Sequence, residues 1–154
     1  MRIGLISDTH SLMRVDALAA LDGVELILHA GDVGTYGVLR ELQAIAPTQA
    51  VSGNIDDPIL GLPRTLDLTF EGLRIHVSHG HELGSPTPAA LVRQYPADVI
   101  VYGHTHRALV ERRGHTLIVN PGAAGPRRFN LMPSVGLLTV KDGKADVEIV
   151  ELRP

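Results

Sequence analysis

Short apolar runs, separated by longer amphipathic segments, characterise the first third of the chain. The runs Ile3 to Ile6, Glu25 to Leu28 and Gln49 to Val51 predict three β-strands that are buried on both faces. Such strands are typical of a parallel sheet covered by helices, because a strand with one face in water would alternate apolar and polar residues.

Two helices are predicted between these strands. Residues from about Leu12 to Leu21 form the first, with Val15, Leu18 and Leu21 on one face. Residues 37 to 45 form the second, and Pro47 closes it. The alternation of strands and helices predicts a parallel sheet at the start of the chain.

The second half of the chain is rich in predicted strands. Thr65 to Phe70 and Leu73 to Ser78 alternate apolar and polar residues around Glu71-Gly72, which predicts a β-hairpin. A helix from about Pro88 to Tyr95 precedes another buried strand at Asp98 to Tyr102. Further strands are predicted near 107–113, 115–119, 134–140 and Ala145 to Leu152. With neither linker nor repeat, residues 1–154 are predicted to form a single α/β domain.

The composition is that of an ordinary globular domain, and it excludes several kinds of site. Of 154 residues, 44% are hydrophobic and 20% are charged. A net charge of −3 and an aromatic content of 3% argue against nucleic-acid binding. The absence of cysteine excludes disulfides, zinc–thiolate sites and cysteine nucleophiles. With no long apolar run and no secretory signal, we expect a soluble, cytoplasmic protein that does not bind membranes.

Polar segments that could bind metal ions follow five of the predicted strands. These segments are SDTH, HAGD, SGNID, SHGH and YGHTH. In open α/β sheets the ligand site lies beyond the carboxyl ends of the strands, so we expect the five segments to meet at one edge. Their potential metal ligands are Asp8, His10, Asp32, Asn54, His79, His104 and His106.

Each segment taken alone has an ordinary structural explanation. Asp8 could cap the following helix, and Gly31-Asp32 and Gly53-Asn54 are common turn sequences. The pair His104 and His106 is the sharpest element, and the ordered set of five favours a metal site. Imidazole and carboxylate donors without thiolate suit manganese, iron, zinc or cobalt. Four histidines argue against a pure magnesium or calcium site, since those ions prefer oxygen.

The ordered motifs SDTH, GD, GN, SHG and GHTH resemble those of the calcineurin-like metallophosphoesterase superfamily. The size of the chain and the segment Asn120-Pro121-Gly122 resemble its small branch, which contains YfcE-like phosphodiesterases and the retromer subunit Vps29. The resemblance spans essentially the whole chain. It implies a single-domain β-sandwich flanked by helices, which hydrolyses phosphodiesters with a metal-bridging hydroxide as nucleophile.

The resemblance also implies a division of the ligands between two divalent transition-metal ions. Manganese is the first expectation, with iron, zinc, cobalt or nickel as alternatives. Asn54, His79 and His104 would surround the second ion and are the expected catalytic residues. The first ion would be held by Asp8, His10, Asp32 and His106, and the second by Asp32, Asn54, His79 and His104, with Asp32 bridging.

One position departs from the pattern of many larger family members. Ile55 stands where they have a histidine that is thought to protonate the leaving group. His81 is our candidate for that role. Alternatively, His81 contacts a metal ligand without binding metal itself, or it is exposed to solvent. Arg127 and Arg128 follow a segment that resembles a family loop, and they are candidates for binding a substrate phosphate. Arginines in such a segment are more often solvated residues on the protein surface.

Two other functions are compatible with parts of this pattern. The retromer branch implies a non-catalytic interaction scaffold, although that branch tends to have degraded ligand sets. A metal-dependent nuclease is disfavoured by the acidic net charge and the few aromatic residues. A small phosphoester is therefore the expected partner, and self-association into a homo-oligomer is left open.

Overall fold

Two five-stranded β-sheets face each other, with helices on their outer faces. The computed structural model describes residues 1–128 and 130–153, so Phe129 and Pro154, the last residue of the predicted domain, lie outside the described residues. The helices are α1 (Val15–Ala20), α2 (Tyr36–Gln43) and α3 (Pro88–Gln94). The strands are β1 (Arg2–Ile6), β2 (Leu26–His29), β3 (Thr48–Ala50), β4 (Thr65–Phe70), β5 (Leu73–Ser78), β6 (Val99–Val101), β7 (Leu109–Arg113), β8 (Thr116–Asn120), β9 (Ser134–Lys141) and β10 (Lys144–Glu151).

The first sheet has the order β10-β9-β1-β2-β3. Strand β1 pairs with β2, and β2 with β3, in parallel, which confirms the parallel sheet predicted from the buried runs. Strands β9 and β10 extend the other side as an antiparallel pair. In this arrangement β1, β2 and β3 all end at the same edge of the sheet.

The second sheet has the order β4-β5-β6-β8-β7. The predicted hairpin of β4 and β5 is present with the expected bounds. Strands β5, β6 and β8 are parallel to one another. The β-sandwich flanked by helices is therefore confirmed. Among the described residues, no helix has the length and apolar character required to cross a bilayer.

Alternate residues of the central strands point into different apolar layers. Ile3 and Leu5 of β1 lie in the core between the sheets, with Val99 and Val101 of β6 from the opposite sheet. Ile6 faces outward and packs with α1 and α2. Ile100 of β6, Leu91 of α3 and Tyr102 form a third cluster outside the second sheet. Burial on both faces explains why these strands carry uninterrupted apolar runs.

The first helix is shorter than predicted. The chain has left-handed backbone at His10 and Ser11, with φ of 46° and 71°, which no α-helix accommodates. Arg14 is also still extended, with φ of −73° and ψ of 137°, so helix α1 begins at Val15 rather than near Leu12. Our assignment of Val15 to the buried face was wrong, since Val15 is 78% exposed, whereas Leu21 is fully buried.

We predict that the two apolar residues of this region differ sharply in their effect on stability. Leu21→Ala should lower the free energy of unfolding by about 2–5 kcal/mol, because it leaves a cavity under α1. Val15→Ala should change it by less than about 0.5 kcal/mol, as expected for an exposed position. Urea denaturation measures both. Equal losses in the two variants would contradict the described packing of α1.

Candidate metal centre

All seven predicted metal ligands lie in loops that leave one edge of the sandwich. The loop after β1 carries Asp8 and His10, and the loop after β2 carries Asp32. In the second sheet, His79 directly follows β5, and His104 lies just beyond β6. Asn54, after β3, and His106 complete the set. The convergence expected from strand order is therefore observed.

Carboxylate oxygens of Asp8 and Asp32 face three imidazoles at short distances. The Oδ2 atom of Asp32 lies 3.4 Å from Nε2 of His10 and 3.3 Å from Nε2 of His79. The Oδ1 atom of Asp8 lies 3.3 Å from Nε2 of His106 and 3.8 Å from Nε2 of His10 and of His79. Two groups result, with donor atoms within 4.8 Å of one another: Asp8, His10 and His106, and Asp8, Asp32 and His79.

Each carboxylate has one oxygen held by protein donors and the other turned to the histidines. Oδ2 of Asp8 accepts hydrogen bonds from the Ser7 hydroxyl at 2.6 Å and the His104 N–H at 3.1 Å. Oδ1 of Asp32 accepts the Ile55 N–H at 3.1 Å. These bonds fix the two carboxylates, and they leave Oδ1 of Asp8 and Oδ2 of Asp32 available to a cation.

Several imidazole nitrogens are also oriented toward this space. His79 Nδ1 lies 2.8 Å from the Ala30 carbonyl, so it donates there and leaves Nε2 as an acceptor. His104 Nδ1 lies 3.2 Å from Asn54 Oδ1. A buried polar atom without a partner costs about 1–3 kcal/mol, which a bound cation would remove. Among the described residues, such atoms at this edge are Asp8 Oδ1, His10 Nε2, His79 Nε2, His81 Nδ1 and His106 Nδ1.

The electrostatics favour a positively charged occupant. Burial alone would raise the pKa of Asp8, but the nearby imidazoles of His10 and His106 outweigh it and hold the pKa well below its usual range. Burial would also raise the pKa of Asp32, but the neighbouring His79 outweighs it and lowers the pKa. Burial and the neighbouring His79 lower the pKa of His104. Two ionised carboxylates and a neutral imidazole are suitable ligands for a divalent cation.

Left-handed backbone is concentrated in the same loops. The φ angle is 54° at Asp8, 46° at His10, 56° at Asp32, 72° at His104 and 63° at His106. A non-glycine residue held in this region costs about 1–3 kcal/mol, and such residues cluster at functional sites. Five of the seven predicted ligands share this property, which hydrophobic periodicity does not reveal.

Two glycines allow the loops to approach the carboxylates closely. A Cβ atom at Gly53 would collide with Oδ1 and the backbone nitrogen of Asp32. At Gly103 it would collide with Oγ of Ser7, and it would lie 2.6 Å from Oδ2 of Asp8. The residues beside Asn54 and His104 must therefore be glycine, because any side chain there would collide with the site itself.

Comparison with known proteins agrees with this geometry. Residues 1–143 match the family described as the calcineurin-like phosphoesterase superfamily domain. The chain belongs to this superfamily. A probable metallophosphoesterase of Methanothermobacter thermautotrophicus is 35% identical, with 97% of this chain and 92% of the relative covered. The phosphodiesterase YfcE of Escherichia coli is 30% identical, with 90% of this chain and 87% of that protein covered.

Solved structures of the superfamily have the same fold. Vps29 of Entamoeba histolytica, crystallised as a complex with zinc, has a TM-score of 0.79 and 26% identity, with 98% of this chain and 99% of that chain covered. An archaeal phosphodiesterase also has a TM-score of 0.79 at 22% identity, with 97% of this chain and all of that chain covered. The resemblance to the small branch, inferred from the motifs, is confirmed.

The residues that the sequence indicated less directly lie around the donor cluster. His81 lies next to it, with ring centroids 5.4 Å from His79 and 6.3 Å from His104. Ile55 and Arg128 line a cavity of about 230 Å³ together with His10, Asp32 and His106. Arg127 is exposed and is not among the lining residues of this cavity.

Asp56 has a role at this edge that our sequence analysis missed. Its Oδ1 accepts the Gly34 N–H at 2.9 Å, and its Oδ2 accepts the N–H groups of Val33 at 3.2 Å and Gly53 at 2.8 Å. Asp56 thereby joins the loop that carries Asp32 to the loop that carries Asn54. The sequence signal that could have indicated this role was a carboxylate two residues after Asn54.

His29 supports the same loops from within the core. Its Nε2 lies 3.0 Å from the Thr9 hydroxyl, and its Nδ1 accepts the Gly31 N–H at 3.1 Å. Burial lowers the pKa of His29 to about 4, against the opposing charge of Asp8. A neutral His29, with both ring nitrogens hydrogen-bonded, therefore supports these loops from within the core.

We predict that Asp56→Ala weakens metal binding as well as the fold. Three backbone N–H groups lose their acceptor, which should lower the free energy of unfolding by about 2–4 kcal/mol. Manganese affinity, measured by titration calorimetry, should fall by about 10- to 100-fold, as is usual for residues that position ligands.

The neighbouring Asp57 provides the matched control for this variant. Its side chain accepts a single N–H, that of Ile59, at 2.9 Å. Asp57→Ala should therefore retain the manganese affinity of the unmodified protein. If both variants bound manganese equally well, Asp56 would not position the ligands.

Proposed function

We propose that the chain is a two-metal phosphoesterase that prefers phosphodiesters. The observation that carries the proposal is the convergence of seven donor residues from both sheets onto one edge, with unpartnered atoms turned inward. The names of the relatives, metallophosphoesterase and phosphodiesterase, support the same chemistry. Two bound divalent ions would activate a water molecule and neutralise the charge of the phosphate.

The seven residues would hold the ions in two overlapping sets. The family resemblance implies Asp32 as the shared member, and its Oδ2 lies close both to His10, of the first set, and to His79, of the second, while Asp8 Oδ1 lies 3.8 Å from each of the same imidazoles. Asp8 is closest to His106 and completes the first set. We propose manganese, with iron, zinc, cobalt or nickel as alternatives. The first set is Asp8, His10, Asp32 and His106, and the second is Asp32, Asn54, His79 and His104.

The charged surroundings favour an anionic substrate once the cations are bound. Arg128 lines the cavity over the donor cluster and would donate to a phosphate oxygen. Arg127 precedes it in the chain and would act from farther out. Asn54 is exposed at the mouth of this cavity, where it would contact both the second ion and the substrate.

The shape of the surface favours a diester over a monoester. Two further cavities flank the central one, and each shares a residue with it. The cavity of about 650 Å³ shares Asn54, and the cavity of about 390 Å³ shares His106. A phosphate centred between Asn54 and His106 would therefore have room for a substituent on each side.

We propose that His81 assists departure of the leaving group. Ile55 has no proton to give, and His81 lies beside His79 and His104 at the wall of the larger flanking cavity. Its side chain is 37% exposed, so it can contact a substrate while remaining next to the donor cluster. General acid catalysis of this kind contributes about 10²- to 10⁴-fold.

Hydrolysis of bis-p-nitrophenyl phosphate with added manganese tests the proposed activity. Asp32→Ala and His104→Ala should each lower kcat/KM by at least about 100-fold, because each removes a proposed metal ligand. His115→Ala is the control, since His115 is 83% exposed and lies outside the cluster. Full activity in the first two variants would falsify the proposal. Absence of both turnover and metal binding would instead support the interaction scaffold.

The role of His81 predicts a dependence on the leaving group. His81→Asn should lower kcat/KM for a phenyl phosphodiester at least about 10-fold more than for the corresponding p-nitrophenyl ester, because only phenolate needs a proton as it leaves. Initial rates with both esters give the comparison. A uniform loss on both esters would assign His81 to substrate binding or to structure.

A further inference from the structure

The largest cavity beside the proposed metal centre is polar and has a mixed charge. It has a volume of about 650 Å³, which is within the range of sites for small organic molecules. Asn54 forms its boundary with the central cavity, and Leu62 contributes apolar wall. Its ionisable lining residues are Asp56, Arg64, His81 and Glu82.

The two carboxylates of this cavity are held in place by the protein. Asp56 accepts the three backbone N–H groups already described. Glu82 accepts the Tyr95 hydroxyl at 2.6 Å on Oε2 and the Gly80 N–H at 2.9 Å on Oε1. Each carboxylate oxygen can accept more than one hydrogen bond, so these fixed groups can still receive a hydroxyl from a bound molecule.

Arg64 differs from the two carboxylates because its guanidinium is not engaged. It is exposed on the cavity wall, and it donates no hydrogen bond and makes no ion pair with any residue in the described ranges. A guanidinium offers five N–H donors in a fixed planar arrangement. Arg64 therefore provides donors on the same surface on which Asp56 and Glu82 provide acceptors.

The balance of charge limits what can occupy the cavity. One guanidinium faces two carboxylates, which would repel a second anionic group of the substrate. A purely apolar group would leave the buried parts of these polar side chains without partners. A neutral group that both donates and accepts hydrogen bonds satisfies the carboxylates and the guanidinium together. Hydroxyl groups meet this requirement.

We propose that the cavity binds a neutral, hydroxyl-rich substituent of the phosphoester, such as a sugar, and that Arg64 is a specificity-determining residue for it. The inference rests on the proposed function, because it places the phosphate at the donor cluster on the other side of Asn54. The substituent reaches the cavity past the Asn54 side chain.

Titration calorimetry of the manganese-loaded protein tests this assignment without turnover. Ribose 5-phosphate should bind at least about 10-fold more tightly than n-pentyl phosphate, which has the same number of carbons and no hydroxyls. Arg64→Gln should remove most of that difference, and Arg64→Lys should retain part of it. Arg93→Gln is the control, since Arg93 is an exposed residue of α3 that does not line the cavity.

The outcomes separate this inference from the proposed function. Equal affinity of the unmodified protein for the two phosphates, or a full preference for ribose 5-phosphate in Arg64→Gln, would overturn the assignment of the cavity and leave the phosphoesterase intact. Failure of both phosphates to bind, together with failure to hydrolyse bis-p-nitrophenyl phosphate, would overturn both. A preference that falls in Arg64→Gln and persists in Arg93→Gln is the expected result.

Discussion

The pairing of β1 with β2 continues beyond the ends of both strands, and the candidate centre depends on it. The Asp8 N–H donates to Gly31 at 3.0 Å, the His10 N–H to Asp32 at 3.0 Å and the Ser11 N–H to Val33 at 2.9 Å. Two loops that carry buried carboxylates are thus held side by side by backbone hydrogen bonds. The charge of Asp8 acts against the ionisation of Asp32, so the sheet and the surrounding histidines must hold the two carboxylates together.

The second sheet completes the centre from the opposite side. The Gly103 N–H donates to the His79 carbonyl at 3.0 Å, which joins the loops after β5 and β6. The His104 N–H then reaches across to Oδ2 of Asp8. The donor cluster is therefore a contact between the two halves of the sandwich, and its geometry depends on how the sheets pack. The apolar runs of β1 and β6 form the core beneath the donor cluster, so the packing of these strands also determines its geometry.

Hydrophobic periodicity was sufficient to predict the strands, because burial on both faces gives a pattern that does not depend on distant residues. The same reasoning correctly brought the strand-end residues to one edge. It failed at the start of α1, because Arg14 is still extended and the loop before it pairs with the loop after β2. It also missed Asp56, and Arg64 with its proposed role in specificity, because both depend on loops and cavities that form only after the sheets have assembled. The division into two sheets followed from family resemblance rather than from periodicity.

The left-handed residues of the centre have a consequence for how the chain can change over time. Glycine adopts this backbone without strain, so replacing a residue such as Asp8 or His104 by glycine removes a local conformational cost together with a metal donor. The hydrogen bonds that Asp8 Oδ2 accepts from Ser7 and His104 act in the opposite direction. Fold stability therefore only partly favours these side chains, and the proposed metal binding would supply the remaining reason to keep them. A lineage that no longer needed the chemistry could lose the donors and keep a sound scaffold.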